Sequence, residues 1–280
     1  MRPARLLSVF GALVLISVGL SIAGPSSGHS AVIQRQPAGA RVTTSASTAL
    51  AGVTVGIDPG HNGSNYKYPQ VMARQIWNGR EWEDCDTTGT ATDAGYTEAT
   101  FTFNVAVDLR RDLRREGATV AMTRSNNHGV GPCVNKRAEI INRAHAAVGI
   151  DIHADGGPPG GRGFAILEPV RDRENRHVIG LSAAFGDMLL HSVLARTPMP
   201  TSTYDGHAGI NHRADLAGLN LTQVPKVLIE CGNMRNAHDA RLLTSGRFQR
   251  GLAGAFAAAI THFVEYRRHH GGLGMRLSAS

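Results

Sequence analysis

Short β-branched runs alternate with longer segments whose apolar residues recur every three or four positions, and few architectures satisfy that alternation. Strands are expected at residues 53–57, 119–123, 148–152, 164–167 and 226–230, each four or five residues long and rich in Val and Ile. Helices are expected at 98–116, 134–146, 178–194 and 248–266. In the first of these Phe101, Val105, Leu109 and Leu113 share one face, and Gly117 stops it. Strands buried on both faces with helices between them predict a single-domain α/β fold. Its sheet is mostly parallel and flanked by helices on both faces.

The chain has 280 residues, of which 42% are hydrophobic, enough for a sizeable core. Residues 1–23 carry Arg2 and Arg5, then an apolar run, then Ser21 and Ala23, which together predict an export signal cleaved near Ala23. An uncleaved anchor is the competing reading, because the apolar run is close to the shortest that spans a bilayer. Residues 24–51, rich in Ser, Ala, Gly and Pro, are expected to form a flexible linker. A catalytic domain then covers 52–268, and 269–280 form a fraying tail.

A net charge of +7 suits an anionic surface such as a bacterial wall, and the expected export signal places the protein in the periplasm, the wall or the medium. Nucleic acid is excluded as a partner, since the basic residues are scattered and only 5% of the chain is aromatic. The mature chain is expected to be a monomer without stable membrane insertion.

Three cysteines in an exported chain imply one disulfide and one thiol. Cys85 and Cys133 lie in polar loops whereas Cys231 ends an apolar strand, which favours the pair Cys85 and Cys133. Closing that loop stabilises the fold by about 4 kcal/mol in the chain-entropy account.

Ionisable residues stand at the carboxyl ends of three expected strands. His61 follows the first through Asp58-Pro59-Gly60, His153 follows Ile152, and Glu230 follows Ile229. Ligands of open α/β sheets bind at that edge, so the three converge on one rim. Glu98 opens a helix behind Thr97, a plausible N-cap, and can reach the same rim. Two imidazoles and a carboxylate suit zinc with an open fourth position, and a further carboxylate is then needed to move the proton; Glu230 fits that role. Taken singly, each histidine is more often a structural residue, and each glutamate a cap or an arginine partner. His207 and His212 are the rival ligands, in a loop, while His128 and His145 belong to a loop and a helix surface.

The segments DPGHNG, YTEATFTFNVAVDLRRDL, TRSNN, KRAEIINRAHAAVGIDIHAD and VLIECGNMRNAHDA, in that order, resemble the zinc-dependent N-acetylmuramoyl-L-alanine amidases, notably the exported mycobacterial-type members. The resemblance spans residues 53–263. It implies a twisted sheet of about six strands, one Zn2+ held by His61, Glu98 and His153, and Glu230 as the catalytic carboxylate. The implied reaction is hydrolysis of the amide between the lactyl group of N-acetylmuramic acid and L-alanine in peptidoglycan or muropeptides.

Departures from the family pattern are Cys231 and Asn233-Met234 after Glu230, Asp151 before Ile152-His153, and Asp155 where asparagine is common. Residues 62–97 form a long connection expected to border the site. Cys231 is expected to be a buried bystander. A zinc carboxypeptidase and a non-catalytic wall-binding protein are the alternatives; the second would have lost Glu230 or a ligand, and neither is lost.

Overall fold

The computed structural model describes residues 48–270, so the expected signal, most of the linker and the last ten residues of the tail lie outside the described residues. The sheet has six strands in the order β4-β1-β5-β8-β6-β7. These are β1 (Thr54–Pro59), β4 (Thr119–Met122), β5 (Val148–Asp155), β6 (Ala165–Pro169), β7 (Ile210–Arg213) and β8 (Lys226–Asn233). Strands β4, β1, β5 and β8 are parallel; β6 pairs antiparallel with β8 and parallel with β7. The helices are α1 (Pro69–Met72), α2 (Glu98–Arg115), α3 (Val134–Arg143), α4 (Ile179–Arg196), α5 (Ala217–Asn220), α6 (Ala237–Leu243) and α7 (Gly246–His270). A separate hairpin pairs β2 (Gln75–Trp77) with β3 (Trp82–Asp84).

The register separates two unlike faces of the sheet. Side chains alternate along a strand, and paired residues of neighbouring strands share a face. Val55 and Ile57, Val148, Ile150 and Ile152, and Val227, Ile229 and Cys231 therefore point one way, into a continuous core with α2, α4 and α7. Alanines of α7 at 253, 255, 257 and 259 are buried there, which lets that helix lie close to its neighbours. The opposite face carries Asp58, Asp151, His153, Lys226 and Glu230 beneath α3 and α5. Gly56 leaves the space that Ile141 of α3 fills, a Cβ there lying 2.7 Å from the Ile141 side chain.

Charge on that second face is internally paired. Lys226 is fully buried, with Nζ 3.4 Å from Asp58 and 3.4 Å from Asp151. Arg137 of α3 bridges Asp58 at 2.9 Å and Asp86 at 3.0 Å. Burial alone would push the Asp58 carboxyl up; Arg137, Lys226 and the Thr123 hydroxyl overcome it and hold the group well below its ordinary value.

Several boundaries differ from expectation. Leu50, assigned to the linker, is fully buried in the core, and its N–H donates to the Glu116 carbonyl at 2.9 Å. Helix α7 continues through His270, into the segment expected to fray. Strand β7, helices α1, α5 and α6 and the hairpin escaped the sequence reading because each is too short to display a period. Cys85 and Cys133 form a disulfide, and Cys231 is free and buried in the core. Among the described residues no helix is long and apolar enough to cross a membrane.

Folding that lowers the pKa of Asp58 contributes stability that is fully present above its unfolded-state pKa and is lost as pH falls from there through the folded-state value. Wild-type protein is accordingly expected to lose stability progressively below about pH 4. Lys226→Met, which removes the buried cation shared by Asp58 and Asp151, is expected to cost about 3–5 kcal/mol at neutral pH. Urea unfolding followed by circular dichroism at pH 7 and pH 3 checks both; a variant as stable as wild type would show that the buried cation is dispensable.

Candidate metal centre and active site

The turn Asp58-Pro59-Gly60 ends β1 and delivers His61 in the left-handed backbone region, at φ 57°. That conformation is uncommon for a residue with a Cβ and persists only where surroundings enforce it. Here Arg137 donates to the His61 carbonyl at 2.9 Å, and the ring Nδ1 lies 3.0 Å from Asp86 and 3.2 Å from the Thr87 carbonyl. The other ring nitrogen, Nε2, is thereby aimed at Glu98, 3.3 Å away.

Glu98 is the first residue of α2, and the Thr97 hydroxyl accepts from the Thr100 N–H at 3.3 Å as the N-cap. The helix packs on the apolar face, yet its first turn crosses the carboxyl ends of β1 and β5. Arg124 holds it there, donating to Pro59 O at 2.9 Å and to Ala99 O at 2.9 Å. Glu98 accepts from the backbone N–H of Thr90 at 2.9 Å and of Ala154 at 3.1 Å, and its Oε1 lies 2.9 Å from His153 Nδ1.

His153 sits in β5 with Nε2 3.4 Å from Asp151. Ligand atoms of His61, Glu98 and His153 all lie within 4.8 Å of one another, so the three can hold a metal ion. Glu230 is the register partner of His153 on β8, and its Oε2 is buried without a hydrogen-bond partner. All four line a cleft of about 460 Å³, with Asp155, Leu167, Arg213 and Leu216 among its walls.

Electrostatics in the cleft favour cationic charge between the carboxylates. Burial would lower His61, but Glu98 and the hydrogen bond that Asp86 accepts from the ring carry it up to about 9. Burial likewise opposes His153, and Asp151 and Glu98 carry it well above its ordinary value. Glu98 itself is raised by burial and held low by the two imidazoles. A divalent cation can supply the same positive charge, since a metal displaces protons from its ligands. Nitrogen, nitrogen and carboxylate oxygen form a donor set that suits a borderline cation, and the unpartnered Glu230 oxygen sits beside it. For Glu230 burial dominates, against the pull of His153 and with the charges of Glu98 and Asp155 adding, and pushes the carboxyl up to about 8.

The four expected residues are thus brought together. His207 and His212 are not: His212, expected in a loop, lies on edge strand β7, exposed, with Nε2 3.5 Å from Glu168. His128 and His145 are exposed, and His145 lies just past the end of α3. Sequence reasoning missed Asp86, which orients His61, and treated Asp151 only as an odd residue before Ile152-His153. Strand alternation offered one signal, since Asp151 and His153 stand two apart and must share a face.

An α/β sheet whose carboxyl edge presents two imidazoles and a carboxylate beside a free buried carboxylate defines an enzyme class with a candidate metal centre. Residues 55–262 match the Amidase_3 family, described as N-acetylmuramoyl-L-alanine amidase, and the chain belongs to that family. It is 37% identical over 216 residues to N-acetylmuramoyl-L-alanine amidase Rv3717 of Mycobacterium tuberculosis, covering 77% of this chain and 88% of that protein. The crystal structure of the N-acetylmuramyl-L-alanine amidase Ami1 from Mycobacterium smegmatis superposes with a TM-score of 0.74 at 40% identity, over 78% of this chain and 99% of that one. The amidase AmiC2 of Nostoc punctiforme, at 20% identity, shares the fold with a TM-score of 0.59, over 77% of this chain and 99% of that one.

Gly60 is where the approach of β1 to the cluster is closest: a Cβ there would lie 2.3 Å from the His153 ring. Gly60→Ala is expected to displace that ring and weaken divalent-metal retention by about tenfold or more, with unchanged far-ultraviolet circular dichroism. Competition dialysis against a chelator measures it. Unaltered retention in the variant would show that His153 is not needed in its present position.

Proposed function

We propose that the protein hydrolyses the amide joining the lactyl group of N-acetylmuramic acid to the L-alanine of the peptidoglycan stem peptide, with His61, Glu98 and His153 holding one zinc ion. The observation that carries this reading is Glu230, whose Oε2 is buried, unpartnered and beside the three-residue cluster. Buried carboxylate oxygens are seldom left unpaired, because their desolvation is uncompensated. A free one in a cleft is suited to receiving a proton from substrate-site water. Family membership and the 37% identity to an amidase support the choice of bond.

Zinc, when bound, supplies Lewis acidity that polarises the amide carbonyl and acidifies a water molecule. The chain's own groups do the rest. Glu230 accepts a proton from the attacking water at Oε2 and returns it to the amide nitrogen, which departs as the amino terminus of an L-alanine-first peptide. Asp86 and Asp151 fix the two imidazoles by engaging the ring nitrogens turned away from the cluster or flanking it, the usual office of carboxylates behind metal-binding histidines. Every group comes from one chain, so a monomer suffices. Action outside the cytoplasm is supported by the Cys85–Cys133 disulfide, since such bonds persist in oxidising compartments.

Glu230→Gln is expected to retain one zinc per chain by elemental analysis while kcat falls about 10²–10⁴-fold on muropeptides. Mass analysis of the wild-type digest should show intact stem peptide beginning with L-alanine; a released carboxy-terminal amino acid would overturn the amidase reading in favour of a peptidase. Cys231→Ser is expected to keep activity within about twofold, because neighbours on a strand point to opposite faces and Cys231 lies in the apolar core. A folded, zinc-loaded but inactive Cys231→Ser protein would overturn the bystander reading.

A further inference from the structure

The chain has two tryptophans, and they stand directly opposite each other as the Trp77–Trp82 pair of the β2–β3 hairpin. Their rings meet edge to face with centroids 5.7 Å apart, yet they remain 46% and 66% exposed. Among the described residues five large apolar side chains are exposed, and four of them, these two with Tyr66 and Tyr68, lie in the segment 62–97 that borders the cleft. Exposed indoles are disfavoured in water, and when they cluster they mark a surface that meets a ligand.

Placement and composition indicate which ligand. By strand alternation Asp84 shares the hairpin's outer face with Trp82, and Asp84 also lines the cleft that holds Glu230, so the aromatic face continues the cleft outward. Beside the rings Gln75 donates to Asp84 at 2.5 Å, an amide and carboxylate pair able to exchange hydrogen bonds with hydroxyl or acetamido groups. The turn is held from below. Asn78 is fully buried, accepts from the N–H groups of Arg80 and Glu81 and donates to Asp215 O, while Arg80 binds Asp172 at 3.2 Å and Glu83 accepts from the Ala217 N–H. Such anchoring reduces the ordering cost of binding.

We propose that Trp77 and Trp82 form a subsite for neutral sugar rings of the glycan strand beside the reacting amide; the proposal rests on the amidase reading. The C–H face of a pyranose carries partial positive charge and meets the negative face of an indole, while its rim hydroxyls need polar partners of the Gln75–Asp84 kind. Residues 74–86 hold four acids against two arginines in a chain of net charge +7, which disfavours an anionic lipid or nucleic-acid occupant. Two partly exposed indoles also fall far short of the about 1,000 Å² that a stable dimer buries.

Because both tryptophans belong to the hairpin, emission excited selectively from tryptophan reports on this site alone. Titration of the wild-type protein with N,N′,N″-triacetylchitotriose is expected to give a saturable quench or blue shift. The Trp77→Ala/Trp82→Ala variant, its folding checked by thermal melting, is expected to raise KM on polymeric peptidoglycan about tenfold with kcat retained. Its loss on a single-sugar muramyl peptide should be at least five times smaller, and Trp77→Phe/Trp82→Phe should recover most of the polymer KM. Emission unmoved by the oligosaccharide, or equal losses on both substrates, overturns the subsite. Emission that responds instead to protein concentration or to anionic vesicles assigns the face to a second copy or a membrane and overturns it too. Should wild-type protein release peptide from neither substrate, the amidase reading fails, and the chitotriose titration still decides sugar binding by itself.

Discussion

A closed circuit of buried ionic contacts is the constraint on which the rest of the molecule depends. From His61 it runs to Asp86, Arg137, Asp58, Lys226, Asp151 and His153, and returns through Glu98 to His61, with every contact between 2.9 and 3.4 Å. Charges removed from water are costly unless each meets an opposite charge in good geometry. The circuit therefore locks together β1, β5, β8, α3 and the start of α2, and a shift in any one strands a charge in another. The same demand that stabilises the register holds the two imidazoles in place.

Division of labour between the sheet faces makes this possible. One face is hydrocarbon, sealed by α2, α4 and α7, and supplies the non-directional driving force of folding. The other trades apolar burial for pairing and leaves Glu230 Oε2 buried without a hydrogen-bond partner. Glu98 alone crosses between them. Its helix is anchored in the hydrocarbon layer, and Arg124 pins the first turn over the strand ends. A rigid helix packed by Phe101, Val105, Leu109 and Leu113 can deliver a carboxylate more accurately than a loop could.

The segment between His61 and Glu98 completes the cleft from outside. It supplies Asp86 to one histidine, the disulfide that ties β3 to the entry of α3, and the hairpin that carries both tryptophans. None of it belongs to the sheet, so its sequence is free of the strand and helix periods that discipline the rest. Function in this region is carried by turns and single side chains.

Alternating periodicity alone predicted the α/β layering, and strand-end placement singled out His61, His153 and Glu230, because hydrophobic period and chain direction are local properties written residue by residue. Thr97 and Glu98 were legible as a helix start for the same reason. Legible too was the pairing of the cysteines, since loop and strand contexts differ in polarity. Asp86, Arg124, Arg137 and Lys226 gave no such signal: each is an ordinary charged residue in sequence, and its role exists only where partners 25 to 168 positions away arrive at hydrogen-bond distance. Short elements such as β7 and the hairpin were likewise decided by tertiary pairing. The sequence by itself determined the layers and the rim; only the folded structure decided which charges meet across it, because Coulomb and hydrogen-bond energies depend on separation in space and not along the chain.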